Sequence, residues 1–268
     1  MTDSKSILVR NNVKIIGSGT RTLLFGHGFG CDQNMWRFLI PALENHFTLV
    51  FFDYMGSGAS DISQYDKQRY CKLEGYAQDV LDICNALSLS KITFVGHSVS
   101  SIIGGLAAVE RPELIAKLIM ICPSPCFLNI PPDYYGGFEK EDLEELLNLM
   151  DKNYIGWVHY LAPLVIGNGN SEELVGELSG SFCSTDPVIA KNFAKATFLT
   201  DYRFLLKKIN QPTLILQSEH DTLAAISVGE YIHNEILSSS IHVISAQGHC
   251  LHMTHPDKVS KLIIDYVN

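Results

Sequence analysis

No run of basic residues occurs anywhere in this chain. That absence argues against nucleic acid or an anionic membrane surface as a main partner. Acidic residues outnumber basic ones, 29 to 20, giving a formal net charge of −9. No stretch is apolar and long enough to span a bilayer. The opening residues, Met1–Arg10, lack the apolar core of a secretory signal. No C-x-x-C pair exists among the seven cysteines, at positions 31, 71, 84, 122, 126, 183 and 250. Their odd number fits reduced thiols, most of them small core residues, in a cytoplasmic protein. Cys122 and Cys126 flank two prolines, a poor spacing for a metal. Internal repeats and low-complexity segments are also missing. What remains is a chain of 268 residues, 46% apolar, with material for one large α/β domain.

Read in order, Ser6–Arg10 and Val13–Ile16 predict a pair of strands joined by a hairpin at Asn11-Asn12. Arg21–Phe25 is a short apolar strand ending in the glycine-rich loop Gly26-His27-Gly28-Phe29-Gly30. Asp32 can cap a helix carrying Met35, Trp36, Leu39, Ile40 and Leu43. Phe47–Phe52 is fully apolar, as expected inside a parallel sheet. It runs into Asp53–Asp61, a second glycine-rich loop. The full dinucleotide fingerprint G-x-G-x-x-G is missing there, and no helix starts at these glycines. Tyr70–Leu87 is an amphipathic helix. Ala116–Cys122 is another buried strand. Strand and helix alternate, which predicts a mostly parallel, doubly wound sheet.

The alternation stops after Pro123. From 125 to 210 no convincing strand is found. One helix is expected with Phe138, Leu143, Leu146, Leu147 and Met150 on its apolar face. Three more are expected over about 153–165, 171–181 and 187–199. An insertion of this kind after the sixth strand is most simply a lid, over a core made of 1–124 and 211–268. Thr213–Gln217, Val228–Ile236, Ile241–Ile244 and Asp257–Val267 then resume the strand and helix rhythm.

Chemistry concentrates where Ile92–Val95 meets Gly96-His97-Ser98-Val99-Ser100. A serine between a strand and a small-residue helix sits on a sharp turn, its hydroxyl pushed out of the sheet. The pattern is G-x-S-x-G with serine in place of the last glycine. A packing substitution of that size leaves the chemistry intact. A serine hydroxyl needs a base, and the base needs an orienting acid. In this arrangement the acid follows the next-to-last strand and the histidine the last. Asp221 and His249 stand at those places; Glu219 is the competing acid, one residue past its strand. The oxyanion donors are the backbone N–H groups of Val99, after the nucleophile, and of Phe29, flanked by glycines. His97 is expected to pack under the turn. His249, His252 and His255 are spaced by three, yet Gly248 and Pro256 bracket them as loop and no further ligand completes a metal site. Neither a metal nor another cofactor is expected.

Several longer motifs carry a resemblance. They are Gly28-Phe29-Gly30-Cys31-Asp32-Gln33, Phe52-Asp53-Tyr54, Pro123-Ser124-Pro125-Cys126, Tyr135-Gly136-Gly137-Phe138, Asn153-Tyr154-Ile155-Gly156-Trp157 and Phe182–Ala190. On these the whole chain resembles the α/β-hydrolases, and among them the RsbQ-like group related to plant karrikin and strigolactone receptors. The resemblance implies a V-shaped lid of four helices over an apolar pocket. It places Ser98, Asp221 and His249 on a catalytic triad and Phe29 and Val99 on the oxyanion donors. Phe127, Phe138, Trp157, Leu161 and Phe198 match pocket or lid positions. Such a pocket suits a small hydrophobic ester or lactone. The resemblance further implies a regulatory role beside a phosphatase partner in a bacterial stress response. His27, Ala224 and Leu251 depart from the prolines that relatives often carry at their positions.

Overall fold

In the computed structural model, which describes residues 4–268, the strand expected at Ser6–Arg10 is a helix. Residues 1–3 of the stretch read above lie outside the described residues. The elements are α1 (Ser4–Arg10), β1 (Lys14–Ile16), β2 (Thr22–Gly26), α2 (Ile40–Leu43), β3 (Thr48–Phe51), α3 (Leu73–Ala86), β4 (Ile92–His97), α4 (Val99–Glu110) and β5 (Ile115–Ile121). Then come β6 (Asn129–Ile130), β7 (Tyr134–Tyr135), α5 (Lys140–Lys152), α6 (Tyr154–Ile166), α7 (Glu172–Ser184), α8 (Pro187–Phe198) and α9 (Arg203–Leu206). The chain closes with β8 (Thr213–His220), α10 (Ile226–Glu235), β9 (Ser239–Gln247), α11 (Leu251–Thr254) and α12 (Pro256–Val267).

The helix at α1 has a physical cause. Ile7 and Arg10 are both buried. Three residues apart, they share a helix face but would point to opposite sides of a strand. The helix lets Ile7 join the core while Arg10 reaches Asp79 at 3.0 Å and Asp82 at 3.1 Å on α3. Losing that strand changes the count: the helical insertion follows the fifth strand of the sheet, not the sixth.

The sheet runs β1-β3-β2-β4-β5-β8-β9, with β1 antiparallel to β3 and every other pair parallel. Alternation along the strands sends side chains to two cores. Leu23, Phe25, Val95 and Ile119 pack on one face with Trp36 and Ile263. Leu24, Phe94, Leu118 and Met120 pack on the other with Tyr76 and Ile102. Strand order reverses beside β2 and β4, so the loops after the parallel strands open at one edge, where sites in such sheets form.

Other departures are local. The helix expected after Asp32 is a 3₁₀ segment, Gln33–Phe38, before α2; Asp32 caps it, its carboxylate accepting the Asn34 N–H at 2.7 Å. A hairpin of two-residue strands, β6 and β7, precedes the helices. Strands this short carry no readable alternation. The three helices with expected ranges fall close to them, whereas α5 begins only at Lys140, after its cap Glu139, and leaves Phe138 outside the helix. Asn153, Ser171 and Asp186 accept backbone N–H groups at the beginnings of α6, α7 and α8, and Pro187 takes the first position of α8.

Candidate active site

Ser98 occupies the turn between β4 and α4 with φ of 55° and ψ of −123°, a conformation that costs a non-glycine residue about 1–3 kcal/mol. The turn is held on both sides. The Ser98 N–H donates to the Ile121 carbonyl at 2.8 Å. A β-carbon at Gly96 would lie 2.6 Å from the Ser100 carbonyl, so the helix can fold back only over glycine. Val99 is the first residue of α4, where an N–H has no acceptor within its own helix. Ser100 does more than fit: its hydroxyl donates to the His27 carbonyl and lies 3.0 Å from the Tyr54 hydroxyl. The odd residue of the motif thus ties the serine turn to the glycine-rich loop.

That loop is locked from beneath. The Tyr54 N–H donates to His27 Nε2 at 3.0 Å, and His27 Nδ1 donates to the Gly28 carbonyl at 2.9 Å. This pairing defines one neutral tautomer, and burial holds the His27 pKa below its usual value. Above the loop, the Phe29 ring packs against Phe198, Phe193, Phe182 and Trp157 at 5.5, 5.6, 5.8 and 6.0 Å between centroids. Gly30, with φ of 72°, leaves room for Phe182, whose ring a β-carbon there would overlap.

Asp221 and His249, the acid and base expected from the sequence, lie side by side. β8 is longer than the sequence suggests and contains Glu219, which is exposed. Asp221 is the first residue past its end, with a side chain 0% exposed. His249 Nδ1–H donates to Asp221 Oδ2 at 2.7 Å. The other oxygen, Oδ1, accepts the N–H groups of Leu223 at 2.9 Å and Ala224 at 3.0 Å. With Nδ1 carrying the proton, His249 Nε2 is left as a lone pair. It is buried and has no hydrogen-bond partner among the described residues. Below it, His97 donates from Nε2 to the His249 carbonyl at 3.0 Å. His97 is therefore packed under the turn, as expected, and also holds the His249 loop. His252 lies in α11, not loop, its ring packed at a tilt between those of Trp36 and His97. Burial brings its pKa down to about 3.

The end of α6 is part of the same frame. The last carbonyls of a helix need outside donors. Here Leu164 takes the Thr222 hydroxyl at 2.9 Å, Val165 the His249 N–H at 2.7 Å and Ile166 the Asn170 side chain at 2.7 Å. Both the Asp221 loop and the His249 loop are thus bonded to the inserted helices.

Among the described residues, Cys122, Asp221 and His249 bring donor atoms within 4.8 Å of one another. This set does not fit a metal. His249 Nδ1 and Asp221 Oδ2 are engaged with each other. Burial, then the nearby Asp221 charge, pushes the Cys122 thiol well above its usual pKa, so it stays protonated.

Ser98, His249, Phe29, Leu161 and Phe198 line one cavity of about 20 Å³, room for one water. Of the five expected pocket residues, Leu161 and Phe198 stand in this wall. Phe127 backs Phe198 at 5.0 Å, and Trp157 packs behind Phe29 and Phe182. Phe138 lines a separate groove of about 620 Å³, with Leu146, Leu149 and Tyr160. Leu161 and Leu223 border both spaces. Thr197 and Leu223 were not singled out in the sequence, and Phe182 was read only as part of a motif, not as a wall residue. Leu223 lies two residues past the acid and Thr197 beside Phe198, so adjacency to motif residues was the available signal.

A model of the alpha/beta hydrolase fold matches residues 21–256. The chain is an α/β-hydrolase. Its relatives include "Karrikin insensitive 2 receptor IA" of Petunia hybrida, 40% identical over 96% of this chain and 93% of that protein. "Strigolactone esterase D14" of Arabidopsis thaliana is 34% identical over 96% of both chains. Among solved structures, a hydrolase from Oleispira antarctica superposes with a TM-score of 0.97 at 56% identity, covering 99% of this chain and 97% of that one. This α/β-hydrolase has no described helix long and apolar enough to cross a membrane.

Proposed function

We propose that this α/β-hydrolase cleaves a small hydrophobic ester or lactone through an acyl-enzyme on Ser98. The observation that carries the reading is His249 Nε2, buried without a partner among the described residues in the same cavity as Ser98, behind an Nδ1 fixed by Asp221. His249 Nε2 takes the Ser98 proton as Oγ attacks the carbonyl carbon. Asp221 stabilises the imidazolium and keeps the proton of Nδ1 in place. The N–H groups of Val99 and Phe29 receive the oxyanion. His249 then returns its proton to the leaving alkoxide. A water attacks the acyl group with the same base, releasing the acid and Ser98. The four helices over 140–198 act as a lid; contacts of α6, α7 and α8 with Phe29 and of α6 with the Asp221 and His249 loops support this. Relatives named as an esterase and as a receptor support a small organic ligand. The phosphatase partner has no observation of its own in favour and is not carried forward.

A serine-reactive phosphonate is expected to label wild-type protein at Ser98 and to leave Ser98→Ala unlabelled. Folded wild-type protein that resists the reagent would sink the reading.

A further inference from the structure

The cavity at Ser98 is walled by apolar side chains: Phe29, Leu161, Val165, Phe182, Phe198 and Leu223. Three side-chain polar atoms in residues of that wall are buried without a hydrogen-bond partner among the described residues: His249 Nε2, His97 Nδ1 and Thr197 Oγ1. The first is the proposed base. The second lies against Gly28, where a β-carbon would collide with it. The third has no part in the chemistry above.

Thr197 is 5% exposed, on the last turn of α8. A helical hydroxyl ordinarily satisfies itself by donating to the carbonyl four residues earlier. Ser179 does so to Val175 at 2.8 Å, Thr200 to Ala196 at 2.6 Å and Thr254 to Cys250 at 3.2 Å. Thr197 does not. A buried hydroxyl left unpaired destabilises the fold, whereas valine would fill the same volume without that cost. A hydroxyl in this place makes physical sense if something entering the cavity completes it. A single water fits the space now.

We propose that Thr197 is a specificity-determining contact, whose hydroxyl bonds a second oxygen of the substrate beside the scissile carbonyl. The inference rests on the hydrolase reading and narrows it. The substrate is an ester or lactone with an apolar body and one further hydroxyl, ether or carbonyl oxygen. A site that hydrogen-bonds such an oxygen discriminates against the analogue lacking it, because the protein group is then unpaired. The hydroxyl can donate or accept, so the class includes both carbonyl and hydroxyl partners.

The test compares ethyl butyrate with ethyl 2-hydroxybutyrate, ethyl 3-hydroxybutyrate and ethyl 3-oxobutyrate, following acid release in a pH-stat. Wild type is expected to favour at least one oxygenated ester over ethyl butyrate by about tenfold in kcat/KM, equivalent to ~1.4 kcal/mol. Thr197→Val is expected to erase that ratio by losing rate on the oxygenated ester alone, with its melting temperature unchanged or raised. Thr197→Ser is expected to keep the preference. Equal ratios in wild type and Thr197→Val would overturn the proposal while leaving the hydrolase reading intact. So would loss of rate on all four esters together with a lowered melting temperature. Hydrolysis undiminished in Ser98→Ala, or absent from wild type, would overturn the hydrolase reading and this inference with it.

Discussion

The Thr222 hydroxyl donates to the Leu164 carbonyl at 2.9 Å, binding the residue after the proposed acid to the last turn of α6. One carbonyl further along, Val165 accepts the His249 N–H at 2.7 Å. The two loops that must hold Asp221 and His249 in register therefore share one anchor. The C-terminal end of α6 is that shared anchor.

Removing the Thr222 bond tests this anchoring. Thr222 is exposed, so the bond adds only about 0.5–1.5 kcal/mol to stability. Thr222→Val is expected to lower kcat threefold to tenfold with little change in KM, since geometry and not binding is disturbed. Thr222→Ser should restore the rate. Steady-state kinetics beside a melting curve decide it: a fall in melting temperature with kcat unchanged would make the bond merely structural.

Leu161 and Leu223 separate the cavity at Ser98 from the outer groove. A space of about 20 Å³ cannot hold an ester until that partition yields. Leu161→Ala and Leu223→Ala are expected to raise kcat/KM for bulky esters relative to ethyl acetate by about tenfold. Leu161 is fully packed, so its truncation should also cost about 2–5 kcal/mol in denaturant unfolding. An unchanged ratio of bulky to small substrates would place the entry route elsewhere.

Acid should destabilise the fold through its buried histidines. The pKa of His252 falls from 6.5 to about 3, and that of His97 is held well below the same value, burial being the main cause in both. In the unfolded chain both take protons near pH 6.5. Between pH 6.5 and about 3 the unfolded state thus binds more protons, and stability falls as pH falls. The slope is at most ~1.4 kcal/mol per pH unit for each histidine. His252→Phe keeps a ring between Trp36 and His97 and is expected to flatten the decline of melting temperature between pH 6 and 4. An identical slope in the variant would remove His252 from the account.

Much of the fold was legible because its signals are local. The apolar run Phe47–Phe52, the face of Tyr70–Leu87 and the polar caps at Asn153, Ser171 and Asp186 each act within a few residues. Arg10 shows where such reading stops. Its helix is favoured by Asp79 and Asp82, about seventy positions away, and a short segment cannot reveal a distant partner. The strand count failed for that reason, and the position of the insertion with it.

Sequence alone determined the glycine turn at Gly96–Ser98, the order of Ser98, Asp221 and His249, and membership in an α/β architecture. Those depend on chain order and on backbone conformations that few residues allow. Tertiary structure decided what surrounds them. It brought the Asp221 carboxylate to His249 Nδ1 and left that of Glu219 on an exposed strand position. It gave Ser100 a hydrogen bond to His27. It joined α6 to the Asp221 and His249 loops, and it left the Thr197 hydroxyl buried without a partner among the described residues. Each of these depends on which distant groups meet and on which polar atoms lose water without gaining a replacement. Both are properties of the packed chain, not of any stretch within it.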